Sequence, residues 1–346
     1  MRIVHIVWEL GTGGVETMLV DIVNEQVKTE EVAIAVVNEH YEESLLLRID
    51  SRCSVELCRR KRGSRNPLPW IKLNTFLYRW GPDIIHFHLE GMRKMVIHHA
   101  PKVFTIHNIH TSGVEYASYR KLFSISDGVR NITEQQGYRA TTIWNGIRTA
   151  NVKVKESDYY HSGNQCKIVC VGRLYTPHKG QDILIRALRI VAQQGLTNFH
   201  LDLIGDGESR AELEKLIVDC GLSDKVAILG QRDRTYVYEH LCDYNLYVMP
   251  SRSEGFGLSV AEAMCAKVPV IVCDLESVKD VVDGGRLGMI FKAADEKSLS
   301  MQIIDYMRNG VENDIIAEAR EYAMEHFDIR QTARQYIQEY KKLIKK

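Results

Sequence analysis

The feature that most constrains this chain is an alternation that runs through it twice. Short apolar, β-rich runs are each followed by a stretch whose apolar residues recur at helical spacing. "RIVHIVW" leads through "ELGTGG" into the helical "VETMLVDIVNEQV", and "VAIAVVN", "PDIIHFH", "KVFTIHN", "KLFSISD" and "ATTIWNG" continue the first series. From about Thr149 to Gln165 the periodicity stops in a polar stretch, "RTANVKVKESDYYHSGNQ", which reads as a linker. The series then restarts with "CKIVCVGRL", "FHLDLIGDG", "KVAILG", "NLYVMPS" and "VPVIVCD" as strands, separated by helical segments such as "QDILIRALRIVAQQG" and "LSVAEAMCA". Apolar strands alternating with helices require parallel sheets covered on both faces. The expectation is an α/β protein of two doubly wound, Rossmann-like domains facing across a cleft. The first spans residues 1–150 and the second 151–326. A C-terminal amphipathic helix, 327–346, packs back on the first.

Bulk properties narrow the function classes. A chain of 346 residues with a net charge of zero offers no overall electrostatic case for nucleic acid as a partner. The eight cysteines form no C-x-x-C pair, and Cys166, Cys170 and Cys273 lie in apolar runs, which suits a reducing compartment. No segment reaches the roughly 18 apolar residues needed to span a bilayer, and no signal-peptide pattern opens the chain. A cytoplasmic protein is expected.

The segment "PSRSEGFGLSVAEAM", Pro250 to Met264, holds two glutamates around a Gly-Phe-Gly turn where a helix should begin, at about Gly257 to Ser259. The first turn of such a helix offers unpartnered N–H groups and a positive dipole end, which suit an anion. Gly255 and Gly257 leave room for a phosphate to approach. Glu262, one turn inside the helix, leans back toward the same point, while Glu254 reaches it from the strand side. Two carboxylates would repel a bare phosphate, but they suit a phosphate ester whose hydroxyls donate to them. A nucleotide sugar has that chemistry. The bland alternative is a first-turn glutamate beside its own helix dipole and an unrelated surface glutamate. In "VGRLYTPHKG", Arg173 and Lys179 supply cations just beyond a strand end, suited to a diphosphate leaving group.

Taken in order, "VGRLYTPHKG", "LIGDGESRAELE", "VAILG", "VMPSRSEGFGLSVAEAM" and "VPVIVCD" resemble the donor half of retaining glycosyltransferases of family 4, which have the GT-B fold. Glu254 and Glu262 match that family's Glu-x7-Glu motif, and "GTGGVE", "FTIHN" and "NGI" at Asn145 match its first half. The resemblance implies that Arg173 and Lys179 hold and stabilise the departing diphosphate. It implies that Glu254 contacts the transferred sugar, with Gly255, Phe256, Gly257, Leu258 and Ser259 near sugar and phosphate, and that Glu262 takes the ribose hydroxyls. Gly14 would let the backbone approach the ligand, His107 would lie near the reacting sugar, and Gly205, Gly207 and Gln231 near the base. It implies a UDP- or GDP-linked sugar as substrate, an acceptor hydroxyl on a glycan or lipid-linked partner, retention at the anomeric carbon, and neither a cofactor nor a metal. Three departures stand out: Arg148 follows "NGI" where the family commonly has aspartate, "CDLESVKDVV" lacks the usual paired glycines, and the first domain is short.

The same residues admit other readings. A nucleotide-sugar epimerase of the same fold and a non-catalytic sugar-nucleotide binding protein share the donor motifs. "GTGGVE" is not G-x-G-x-x-G, since Glu16 occupies the third glycine position, which argues against a dinucleotide site even with Glu39 after the second strand. "HFH" (His86, His88) and "HNIH" (His107, His110) lie near strand ends without a cysteine or carboxylate completing a zinc spacing, so they read as histidines lining the cleft. The run "RRKRGSRNPLPWIKLNTFLYRW" places five cations between Arg59 and Arg65 ahead of Trp70, Phe76, Tyr78 and Trp80. It suits either peripheral contact with anionic lipid at the inner face of the membrane or a solvated loop before a packed helix.

Overall fold

The structure, a computed structural model, describes residues 1–11, 13–107, 116–156 and 163–344. The chain divides into two compact units, Met1–Arg148 with Phe327–Lys346, and Thr149–His326.

Among the described residues, the first unit has seven strands: β1 (Arg2–Val7), β2 (Glu31–Asn38), β3 (Ser54–Arg60), β4 (Ile84–Phe87), β5 (Lys102–Ile106), β6 (Lys121–Ser124) and β7 (Ala140–Thr142). They pair in the order β3-β2-β1-β4-β5-β6-β7, every pair parallel. The central strands are buried on both faces, as Val32 through Val37 illustrate, which is why they read as continuous apolar runs. Strand β3 carries none of that signal. It is an edge strand with Ser54, Val55 and Arg59 exposed, absent from the strands expected above, and only its last two residues, Arg59 and Arg60, fall in the basic run.

The helix Ile329–Ile344 lies against the first helix, Gly14–Gln26, and is fixed at its start by the "NGI" segment. Ile147 pairs with Asp328, Thr332 donates its hydroxyl to the Trp144 carbonyl at 2.9 Å, and a Cβ at Gly146 would stand 2.7 Å from the Ile329 Cα. Glycine at 146 therefore allows the helix to dock on this loop. Arg148, the departure from the family pattern, pairs at 2.7 Å with Asp21, a carboxylate with no exposed side-chain surface. A buried carboxylate needs such a cation, so the arginine has a role inside this unit.

The second unit contains β8 (Cys166–Val171), β9 (Phe199–Ile204), β10 (Val226–Gly230), β11 (Leu246–Met249), β12 (Val270–Cys273) and β13 (Met289–Phe291). Their order is β10-β9-β8-β11-β12-β13, again all parallel. In both sheets the strand order reverses beside the first strand, at β1/β4 and at β8/β11. Open parallel sheets bind ligands at the carboxyl ends of the strands flanking such a switch point. Among the described residues, no helix is long and apolar enough to cross a membrane.

Candidate functional site

In the second unit, the segments that follow β8 and β11 carry the charged residues singled out above. After β8 the chain passes Arg173 and makes one helical turn, Thr176–Lys179. Gly180 then turns it with φ 65°, and a Cβ there would lie 2.1 Å from the Pro250 carbonyl oxygen. Only glycine lets the Lys179 turn sit this close to the end of β11. The contact is reinforced by Arg252 and Ser253, whose N–H groups donate to the His178 carbonyl at 2.7 and 3.2 Å. Arg252 also forms a two-pronged ion pair with Asp182 at 2.7 and 2.8 Å.

This junction brings Lys179 and Glu254 together, with Nζ donating to Oε2 at 2.6 Å. Both are partly shielded, their side chains 33% and 17% exposed. Burial disfavours the ammonium, but attraction and hydrogen bonding to Glu254 outweigh it and raise the Lys179 pKa. Lysine is therefore charged at neutral pH and fixed on the carboxylate. The Glu254 backbone is held as well, its carbonyl accepting from the Ser277 hydroxyl.

The helix expected near Gly257 runs from Leu258 to Cys265, with Gly257 in the left-handed region at φ 96° and no side-chain cap. Tyr247, buried in β11, donates its hydroxyl to Ser259 at 2.6 Å. Gly255, Leu258 and Ser259 are half-buried, whereas Phe256 is packed into the core. Glu262 is 4% exposed, and its Oε1 accepts from Arg234 Nε at 3.0 Å and Nη2 at 2.8 Å. The two glutamates thus answer to different cations, which resolves their apparent crowding. Sequence reasoning missed Arg234; its only signal was a cation just after Gln231, at the start of a helix capped by Asp233.

The other cation, Arg173, is 66% exposed and pairs with Glu208, itself 58% exposed, in the next strand-end loop. That loop is the "GDG" bend. A Cβ on Gly205 would meet the Gly172 carbonyl oxygen at 2.0 Å, and one on Gly207 the Leu174 carbonyl oxygen at 2.5 Å. These glycines let the bend lie against the Arg173 loop, a packing reason that stands beside any contact with a base. Gly205 also pairs with Gly230, and Gln231 beyond it is exposed.

In the first unit, Gly14 is the exposed first residue of the helix that follows β1, so it sits within the helix and not in a loop before it. His107 lies just past the end of β5. The histidines of "HFH" do not line an opening. His86 and His88 are 0% and 2% exposed, enclosed with His5, and burial drives the pKa of each well below that of free histidine. The physical reason is period two: His86 and His88 point to one face of β4, His5 is the register partner of His86, and Tyr336 and Tyr340 cover that face. His5, His86 and His88 bring ring nitrogens within 4.8 Å of one another, so metal-ligand proximity exists where the sequence offered no spacing. His5, inside the apolar run of β1, carries no such spacing signal in the sequence, and His110 lies outside the described residues.

The cations of the basic run also divide. The Arg60 guanidinium lies 5.4 Å from the Trp8 ring centre and 5.9 Å from that of Trp70, and donates to Asn38 at 3.1 Å. Arg59, Lys61, Arg62 and Arg65 are exposed.

Comparisons with known proteins agree with this layout. Residues 155–323 match the family model of glycosyl transferases group 1, and residues 12–151 that of glycosyltransferase family 4. An uncharacterized glycosyltransferase of Methanocaldococcus jannaschii is 29% identical over 190 residues, 55% of this chain and 50% of that protein's length. A phosphatidyl-myo-inositol mannosyltransferase of Mycobacterium leprae is 24% identical over 75% of this chain and 73% of its own. Among solved structures, Anabaena HepE in complex with UDP and glucose superposes with a TM-score of 0.82 at 22% identity, covering 99% of this chain and 100% of the other.

Proposed function

The chain belongs to the group 1 glycosyl transferases and has the GT-B fold; on that premise we propose that it moves a hexose from a nucleoside diphosphate sugar to an acceptor hydroxyl with retention at the anomeric carbon. The observation that carries the reading is the 2.6 Å contact between Lys179 and Glu254 at the switch point of the second sheet. An ammonium has three donors, so Lys179 can keep Glu254 and still offer two to diphosphate oxygens. Arg173 makes an exposed ion pair with Glu208, of a kind that contributes at most about 1 kcal/mol, and lies 5.9 Å from the Tyr175 ring centre, so it can exchange Glu208 for phosphate. The uncapped start of the helix Leu258–Cys265 adds N–H donors to the same anion. These groups stabilise the charge that grows on the diphosphate as its bond to the sugar breaks. Glu254 takes a sugar hydroxyl, and the Glu262–Arg234 pair addresses the ribose. Gly14 and His107 join this reading through the family resemblance.

A screen of UDP-, GDP- and ADP-linked sugars, with and without glycan and lipid-linked acceptors, tests the assignment. Transfer with retained anomeric configuration supports it. Conversion of a donor to its epimer without acceptor, or binding without turnover of any donor, would replace it.

The acceptor side is proposed to work against anionic lipid. On the helix Leu68–Trp80, Leu68, Ile71 and Tyr78 are 65%, 56% and 54% exposed and fall on one stripe, and exposed Lys61, Arg62 and Arg65 precede this helix in the chain. An exposed apolar stripe that follows a basic segment suits a headgroup layer. Sedimentation with phosphatidylglycerol vesicles at low salt should carry the protein down, and 0.5 M salt should release it (an about threefold shorter Debye length). Absence of the protein from the pellet at low salt removes this part.

A further inference from the structure

Among the histidines of the first unit, His5, His88 and His107 form one continuous hydrogen-bonded chain that ends at His107. His107 Nε2 lies 3.2 Å from His88 Nδ1, and His88 Nε2 lies 2.9 Å from His5 Nδ1. His5 Nε2 then lies 2.8 Å from Oε1 of Gln26, on the helix Gly14–Gln26. Burial pushes both His5 and His107 down to about 4 and lowers His88 as well, so each ring is neutral and carries one N–H.

One proton per ring makes the links interdependent. A carbonyl oxygen only accepts, so His5 donates to Gln26 from Nε2 and its Nδ1 is bare. His88 must then donate from Nε2 to His5, which leaves its own Nδ1 bare, and His107 must donate from Nε2 to His88. The last consequence falls on His107 Nδ1, which is left an unprotonated acceptor. That atom is buried and has no hydrogen-bond partner among the described residues.

We propose that Gln26, His5 and His88 are positioning residues that set the tautomer of His107, holding its proton on Nε2 so that Nδ1 accepts a hydrogen bond from a bound ligand. On the glycosyl transfer reading, that ligand group is a sugar hydroxyl. A bare lone pair welcomes a hydroxyl and rejects phosphate or carboxylate oxygens, so the chain also selects what can lie beside His107. Gln26 decides the direction: turning its amide end for end would reverse every link and make His107 Nδ1 a donor.

A second set of contacts steadies the arrangement from the other side. His86 Nδ1 and the Tyr340 hydroxyl are 2.6 Å apart, and His86 Nε2 and the Thr105 hydroxyl 2.7 Å. All the ring nitrogens of His5, His86 and His88 are therefore engaged in hydrogen bonds, which favours a proton network over a metal site in this cluster.

The tautomers can be read directly in the ligand-free full chain, independently of any catalytic assignment. Two-bond ¹H–¹⁵N correlation spectra of histidine-labelled protein at pH 7.5 should show His107, His88 and His5 each protonated on Nε2, with assignments from His→Gln variants. In Gln26→Met, which removes the acceptor that fixes the direction of the chain, the His107 signals should shift to the average of both tautomers. Protonation of His107 on Nδ1 in the wild type overturns the proposal whether or not the variants fold. So does an unchanged His107 pattern in Gln26→Met. One metal ion per chain, lost in His5→Gln, would overturn it too, because a metal on His5 replaces the proton that links it to its neighbour.

Discussion

At the scale of single residues, the second unit gives each cation of the candidate site an acidic partner. Lys179 has Glu254, Arg234 has Glu262 and Arg173 has Glu208. Removing Glu254 leaves the partly exposed Lys179 ammonium without its partner, and removing Lys179 leaves a carboxylate where, on this reading, negative charge accumulates. Lys179→Ala and Glu254→Gln should each lower turnover by about 10²–10³-fold with the melting temperature nearly unchanged. Gly180 acts through the backbone instead. Gly180→Ala forces a Cβ toward the Pro250 carbonyl from a positive-φ position. It should cost about 2 kcal/mol or more in urea unfolding and reduce activity through displaced Lys179; a fully stable variant would contradict the close approach. The glutamate segment and the two cations of "VGRLYTPHKG" were legible because motif residues lie close in sequence. Arg234 and Glu208 were not, since they reach the site from other strand ends, and no local spacing announces a partner supplied by tertiary packing.

At the scale of elements, strands betray themselves by burial. Runs buried on both faces, such as β2 and β12, were plain in the sequence; β3, at a sheet edge with exposed and charged positions, was not. The histidines show the same limit. The sequence reads His86 and His88 of "HFH" as lining a cleft, whereas the pairing of β1 with β4 and the cover of the helix Ile329–Ile344 make their face of the strand an interior. Tyr340 is completely buried there, with its hydroxyl on His86. Tyr340→Phe keeps the ring and removes that partner, so it should destabilise the chain by about 1–3 kcal/mol in thermal or urea unfolding. A neutral effect would mean that His86 finds another partner at no cost.

At the scale of the whole molecule, two units repeat one topology, and the alternation of strands and helices was enough to read both. The return of the last helix to the first unit follows from its apolar stripe and from the docking loop at Gly146. The buried imidazoles also tie stability to pH. His5 and His107 are held at about 4, against 6.5 in the unfolded chain, so between those values the unfolded state binds more protons than the folded one. Their contribution is present in full above pH 6.5 and is lost as pH falls toward 4, a change on the order of a few kcal/mol. Melting temperature should therefore drop steadily over that window, and less steeply in a His5→Gln variant; a flat profile would mean that these rings are not held neutral.

The central claim, that the segments after β8 and β11 hold a nucleoside diphosphate, is tested most directly by calorimetric titration of UDP and GDP into wild-type and Lys179→Ala protein at pH 7.5. One of the two nucleotides should bind the wild type with a single site per chain. The variant, without its charge-assisted contacts to phosphate, should bind it at least about tenfold more weakly. Equal affinity in the two proteins, or no binding of either nucleotide to the wild type, would contradict the account.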